Sequence, residues 1–409
     1  MQYKITPPTK IDTEIQLPSS KSISNRALIL NALSLSSNPI INLSDCEDTQ
    51  VLINAFNSDC NVFDIKAAGT AMRFLTAFLA GVEGEWTLKG SSRMHERPIY
   101  PLVDTLTSLG AEIKYLEKEG YPPLRIKGKQ LRGGEVYLSG SISSQFISAL
   151  LMIAPLMDKG LTIHIKDEIV SKPYVRLTLS LMEKYGVRAK WEANSIKVKP
   201  KKYKPFSFTV ESDWSAASYW YEMVALLPVG SRVKLLGLEK MSWQGDAKAV
   251  ELFGYLGVTT EFLPDGILIS KAKEPIERFF YDFINEPDLV QALAVTCCFL
   301  GVRFLFSGLQ TLKIKETDRV EALMTELRKF GFVLQDDSKN GTLGWDGERC
   351  EAEENPVIGT YEDHRMAMAF APIAICEKCV IINEPGVVAK SYPKFWEDLI
   401  EAGFGVVEV

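Results

Sequence analysis

The sequence predicts an α/β protein of two domains, each built from three repeated units of helix, strand, helix, strand, strand. Three observations carry this prediction. Glycines close amphipathic stretches at Gly110, Gly186, Gly257, Gly331 and Gly403, at spacings of 76, 71, 74 and 72 residues. A second series keeps the same period, with small or polar residues opening helix-forming runs at Gly69-Thr70-Ala71, Ser143-Ser144-Gln145, Asp213-Trp214-Ser215, Pro287-Asp288-Leu289 and Asp363-His364-Arg365. Between the two series lie short strand-like runs such as Gly160–Ile165 and Gly301–Phe306. Glycine just past a helix end takes the left-handed conformation without a Cβ clash, which explains the residue choice. A period near 70 residues is too long for a common solenoid, and helix–strand alternation within it marks an α/β unit.

The first element is Pro18-Ser19-Ser20-Lys21-Ser22-Ile23-Ser24-Asn25-Arg26, running into Ala27–Leu33. Serines before an apolar run read as a helix start. The first-turn N–H groups have no internal partners and the helix dipole favours negative charge there, so Lys21 and Arg26 make this end suited to a phosphate or carboxylate. The segment from Lys21 to about Asn61 is a shorter copy of the unit, with Asn57 to Asp59 standing where the glycine would be. Six units then divide into a domain over 18–211 and a second over 1–17 plus 212–409, with the seam near Glu211-Ser212-Asp213 after the Lys/Pro-rich stretch 199–205. The apolar run Leu289–Phe306 is interrupted by Gln291, Gly301 and Arg303, so it reads as a buried helix plus a strand rather than a membrane span.

Composition narrows the function. The net charge of −6, from 46 Lys+Arg against 52 Asp+Glu, argues against a sequence-independent nucleic-acid binder. Met1–Pro8 has no signal-peptide apolar core, which points to the cytosol. Seven cysteines in 409 residues are not a disulfide framework, and Cys376-Glu377-Lys378-Cys379 is a lone C-x-x-C without a second pair. The expectation is a monomer without metal, membrane or nucleic-acid partners.

The reactive side chains collect at helix starts and in the loops just before them. They are Lys21, Ser22 and Arg26; Gly69 to Arg73; Arg93 to Pro98; Ser143 to Gln145; Ser171 and Lys172; Asp288; Lys315 to Arg319; Asp363 to Arg365; and Lys390. Such groups converging from several helix starts suit a ligand with several negative charges.

In this order, Pro18–Arg26, Gly69-Thr70-Ala71-Met72-Arg73, Arg93-Met94-His95-Glu96-Arg97-Pro98, Ser143-Ser144-Gln145-Phe146, Lys315-Glu316-Thr317-Asp318-Arg319 and Asp363-His364-Arg365-Met366-Ala367-Met368 resemble the motifs of the 5-enolpyruvylshikimate-3-phosphate synthases, within the enolpyruvyl transferases. The resemblance implies an inverse α/β barrel of six βαβαββ-type units closing on its substrates. It implies transfer of the enolpyruvyl group of phosphoenolpyruvate to the 5-hydroxyl of shikimate-3-phosphate, in aromatic amino-acid synthesis, with no cofactor. By resemblance, Lys21, Ser22, Arg26, Ser143, Ser144, Gln145, Ser171, Asp288, Thr311 and Lys315 hold shikimate-3-phosphate. Lys21, Gly69, Arg97, Gln145, Arg319, Arg365 and Lys390 hold phosphoenolpyruvate, and the active site lies between the domains. Asp288, Glu316, Lys21, Lys315 and His364 are the catalytic candidates, with Asp288 as base at the hydroxyl and Glu316 as proton donor to the methylene carbon.

Departures from the family pattern fall at Ala67 and Phe74, where asparagine and proline are common, and at Thr311, where some members carry asparagine. Phe74 bears on sensitivity to glyphosate, an analogue competing with phosphoenolpyruvate. The sister enzymes acting on UDP-N-acetylglucosamine carry a cysteine acid on a loop that has no counterpart here. An RNA-processing protein built from the same units fits poorly with the acidic balance.

Overall fold

The computed structural model describes residues 1–141 and 143–409. By its internal contacts the chain divides into two compact units, 19–210 and 1–18 with 211–409. Among the described residues five sheets are four-stranded, each with a parallel pair at one edge. In three of them a parallel pair is joined by a crossover helix and an antiparallel hairpin pairs with the inner strand; each of the other two draws one strand from residues 1–18.

In the unit 19–210 the first such sheet runs Val62–Asp64, Gly84–Lys89, Leu124–Gly128, Glu112–Tyr115. The second runs Gly134–Leu138, Leu161–Ile165, Ser195–Val198, Ala189–Glu192. The copy beginning at Lys21 keeps its helices, Lys21–Leu33 and Glu47–Phe56, but its sheet is reduced to Ile40–Ile41 paired in parallel with Phe208–Thr209.

The other unit holds three complete sheets. Asp12–Gln16 lies parallel to Arg232–Leu236, followed by Gly266–Lys271 and Val258–Leu263. Arg278–Asp282 lies parallel to Arg303–Ser307, followed by Thr342–Trp345 and Gln335–Asp337. In the last sheet the N-terminal strand Gln2–Thr6 sits between Val380–Asn383 and Gly405–Glu408, with Val357–Ile358 at the edge.

The glycine series has a local cause. Helices end at Ser108, Lys184, Tyr255, Lys329 and Glu401, and the five glycines stand two residues past each, all with φ between +83° and +104°. A side chain there would be strained, so glycine sets the helix length. In the shorter copy Asn57 has φ −94°, and that helix ends without the left-handed turn.

Helices line up inside each unit. In 19–210, the Arg26 guanidinium lies 5.3 Å from the Phe74 ring and 5.9 Å from the Tyr174 ring, and Arg73 lies 5.7 Å from the Phe146 ring. These residues are third to sixth in the helices Lys21–Leu33, Gly69–Ala80, Ser144–Ile153 and Lys172–Lys184. These contacts bring the N-terminal portions of the four helices together. In the other unit, Trp214, Tyr219, Trp220 and Tyr221 are at most 1% exposed and fill the core, as do the free thiols Cys297 and Cys298. Among the described residues no helix is long and apolar enough to cross a membrane.

Candidate active site

In the unit 19–210 the helix starts carry most of the expected anion-binding groups. Ser20 caps the first helix by accepting from the Ile23 N–H at 3.4 Å, which leaves Lys21 and Ser22 in the open first turn. Lys21 Nζ lies 3.4 Å from Asp48 Oδ2, a carboxylate that spacing did not single out. Gly69 opens the next helix under two guanidinium groups: a Cβ at 69 would meet Arg97 Nη1 at 2.8 Å and Arg73 Nη1 at 2.9 Å. Glycine is required here by close approach rather than by φ. Arg97 Nε is buried with no hydrogen-bond partner, so this cation is poised over the helix start with donor capacity in hand.

The Gln145 side-chain amide donates to Thr70 Oγ1 at 3.1 Å and ties two helix starts together. Ser143 caps its helix through the Gln145 N–H at 3.3 Å, and Ser144 is 7% exposed. Ser171, at the head of Lys172–Lys184, has φ +56°. A non-glycine residue held there stores strain of the kind that marks functional loops. Two neighbours noted in the sequence are turned elsewhere: Lys172 lies over the Trp191 ring at 5.3 Å, and Arg93 pairs with Glu96 at 2.8 Å.

Arg26, expected at shikimate-3-phosphate, sits deep in the unit. It is 2% exposed, and its Nε donates to Thr178 Oγ1 at 2.7 Å, its Nη1 to the Ser22 carbonyl at 2.9 Å, and its Nη2 to Ser148 Oγ and the Tyr174 carbonyl at 3.4 Å. Four of its five N–H groups are thus directed inward. Burial without a carboxylate lowers its pKa to about 10, with Tyr174 opposing that shift. Arg26 pins the Ser22 carbonyl and bridges three helices; it is a scaffold for the helix start rather than one of its exposed cations.

In the other unit the expected residues converge on Arg319, at 2% exposure. Its Nε meets Asp363 Oδ2 at 2.7 Å, Nη1 meets Asp288 Oδ1 at 3.1 Å, and Nη2 meets Glu316 Oε2 at 3.0 Å. Burial alone would lower the Arg319 pKa, but Asp363, Glu316 and Asp288 hold it above the ordinary arginine value. A second ring of cations closes on the same carboxylates. Arg365 Nη2 lies 2.9 Å from Asp288 Oδ2, Lys390 Nζ lies 3.2 Å from Glu316 Oε1, and Lys315 Nζ lies 4.0 Å from Asp288 Oδ1. Arg365 also donates to the Asp288 carbonyl and to the Tyr219 hydroxyl, each at 3.3 Å.

Local structure explains these positions. Asp288 sits in the turn heading the helix Val290–Leu300, Asp318 caps Arg319–Lys329, and Asp363 caps His364–Phe370 by accepting from the Arg365 N–H at 2.9 Å. The carboxylates at the opening are Asp288 and Glu316, with side chains 18% and 15% exposed. His364 is 1% exposed, with Nδ1 3.6 Å from Asp363 Oδ1. Thr311 lies in the turn Gln310–Ile314, and its Oγ1 is buried without a hydrogen-bond partner.

Asp48 and Tyr219 are the partners that spacing alone did not assign, and Asp363, singled out by spacing, was given no role there. The arrangement supplies two tethered, partly open carboxylates among cations, which is the equipment for proton transfer on an anionic substrate.

Comparison with known proteins defines the class. The chain has the fold of the solved EPSP synthase from Acinetobacter baumannii, with a TM-score of 0.81 at 20% identity and full coverage of both chains. The sequence model of the EPSP synthase (3-phosphoshikimate 1-carboxyvinyltransferase) family matches residues 5–58 and 51–399. A 3-phosphoshikimate 1-carboxyvinyltransferase of Bacteroides fragilis (strain YCH46) is 54% identical over 407 residues, 99% of each chain. Another, of Aliivibrio fischeri (strain MJ11), is 37% identical, covering 97% of this chain and 98% of its own. This chain belongs to the EPSP synthase family.

Proposed function

We infer that this chain performs the reaction of its family, transferring the enolpyruvyl group of phosphoenolpyruvate to the 5-hydroxyl of shikimate-3-phosphate and releasing phosphate. The observation that carries the mechanistic reading is the sharing of one buried guanidinium, Arg319, by Asp288 and Glu316. Two carboxylates fixed on one fork and open to one side can act as base and acid on neighbouring atoms. Glu316 donates a proton to the methylene carbon while Asp288 takes the proton of the 5-hydroxyl, whose oxygen bonds to the adjacent carbon. In the second half a proton returns from the new methyl group, the C=C bond re-forms and the C–O bond to phosphate breaks. Lys315, Arg365 and Lys390 balance the charge on the substrate and on the two carboxylates.

In this reading shikimate-3-phosphate is held by Lys21, Ser22, Ser143, Ser144, Gln145 and Ser171, with Thr311 and Lys315. Phosphoenolpyruvate is held by Lys21, Gly69, Arg97, Gln145, Arg365 and Lys390. Arg26, Arg319 and His364 serve as supports for these groups. Each domain is a three-unit inverse α/β barrel, and the domains close on the substrate pair; small-angle scattering with both ligands should show compaction, and its absence would count against closure. The protein works as a cytosolic monomer without a cofactor, so EDTA should leave turnover unchanged. The deciding experiment is phosphate release from phosphoenolpyruvate. Release that requires shikimate-3-phosphate supports the reading; release with UDP-N-acetylglucosamine instead would overturn it.

A further inference from the structure

Asp246 lies in the short turn Gly245–Lys248 and belongs to none of the groups assigned above. It is 1% exposed. One carboxyl oxygen accepts from the Ser215 hydroxyl, and the other, Oδ1, is buried with no hydrogen-bond partner. The charged groups that act on it are Asp288, Arg365 and Asp213 at the head of the helix Trp214–Leu226. Lys248, on its own turn, is directed to Glu251 of the helix Ala249–Tyr255.

An anion with a bare oxygen, buried beside a second carboxylate, is strongly disfavoured. The charge count points the same way. Lys315, Arg319, Arg365 and Lys390 face the carboxylates Asp288, Glu316 and Asp363, and Asp213 adds a fourth negative charge near Asp246. A neutral Asp246 leaves these charges balanced; an ionised one makes the cluster net negative, which opposes capture of an anion.

We propose that Asp246 is a positioning residue that is neutral in the working site, and that its ionisation sets a competing anion beside Arg365 and weakens capture of phosphoenolpyruvate. The proposal rests on the reading that Arg365 holds that substrate. Burial first, then the Asp288 charge, raise the Asp246 pKa to about 7. The acid is therefore neutral below pH 7 and ionised above it.

The test is the pH dependence of KM for each substrate between pH 6 and pH 8.5. If the ionised form captures no substrate, KM for phosphoenolpyruvate should rise about 30-fold over this range, because the competent fraction falls by that factor; partial competence gives a smaller rise. KM for shikimate-3-phosphate should lack this rise. Asp246→Asn, a permanently neutral isostere, should match the wild type at pH 6 and lose most of the rise. Ser215→Ala removes the hydrogen bond that lowers the Asp246 pKa and should move the inflection to higher pH, a readout that does not depend on Asp246→Asn folding. Either variant retaining the wild-type profile overturns the proposal. Arg365→Ala binding phosphoenolpyruvate normally at pH 6 would instead overturn the underlying reading.

Discussion

Gly69→Ala gives the most direct test of how the unit 19–210 holds an anion. A Cβ at this position would lie 2.8 Å from Arg97 Nη1, 3.1 Å from Arg97 Cζ and 2.9 Å from Arg73 Nη1. Ordinary contact begins near 3.4 Å, so the Arg97 guanidinium must retreat by about 0.6 Å, enough to carry a 2.9 Å hydrogen bond to the edge of its range. A weakened charge-assisted bond costs roughly 1–2 kcal/mol, which is a roughly five- to thirtyfold rise in KM for phosphoenolpyruvate. The atoms displaced are the ends of flexible side chains, so unfolding free energy should change by less than about 1 kcal/mol. Initial rates with each substrate varied in turn, together with a urea unfolding curve, separate the two effects. An unchanged KM for phosphoenolpyruvate in a folded variant would refute the placement of Arg97 over the helix start as a substrate contact. Equal rises for both substrates would refute it too.

Glu316→Gln should lower kcat by at least about a hundredfold, the scale of one general acid–base group, while direct binding of both substrates changes little; near-normal turnover would remove Glu316 from the proton-donor role. Arg26→Lys should destabilise the fold by roughly 2 kcal/mol, read as a lower urea midpoint, because Thr178, Ser148 and the Tyr174 carbonyl lose a donor fork that lysine cannot replace. A normal midpoint with a raised KM for shikimate-3-phosphate would return Arg26 to the ligand. Asp398, which accepts from Tyr392 Oη at 2.6 Å, has its pKa raised by burial to about 6. The native state therefore holds a proton that the unfolded chain has released, and stability falls as pH rises from about 4 to about 6, by at most about 3 kcal/mol. Asp398→Asn should flatten that segment of the stability curve; parallel curves for variant and wild type would count against the assignment.

The parts of this fold written in local sequence were readable from it. Gly110, Gly186, Gly257, Gly331 and Gly403 announce helix ends because a left-handed residue is a local demand. Asp213, Asp318 and Asp363 announce helix starts because a cap is made within three residues. What spacing could not supply was pairing at a distance. The reduced sheet of Ile40–Ile41 with Phe208–Thr209 joins strands two residues long from opposite ends of the unit, too short for any periodicity to show. Asp48, at the start of the helix Glu47–Phe56, and Asp246, in a short turn, carry carboxylates that gain meaning only from Lys21 and Arg365, far off in the chain. Arg26 is an instructive middle case. It stands three residues from Ile23 and Ile29 and four from Leu30, all buried, so its place on the apolar stripe of the helix was legible. Reading it by charge alone pointed it outward.

The same distinction sorts the arginines of the two units. A guanidinium has five N–H groups, and it can hold a ligand only with those not already spent on the protein. Arg26 spends four on interior acceptors. Arg319 likewise spends four, all on the carboxylates of Asp363, Asp288 and Glu316. Neither can turn to a substrate without stranding a buried partner, at a cost of several kcal/mol. Arg97, with Nε buried and unpartnered above the bare Cα of Gly69, carries no such penalty. Within each unit the buried forks therefore fix the neighbouring serines or carboxylates, and on the proposed reading the anion is left to cations such as Arg97, Arg365 and Lys390. On that reading, the division keeps the proton-moving carboxylates rigid while other cations keep charge to spare for phosphate.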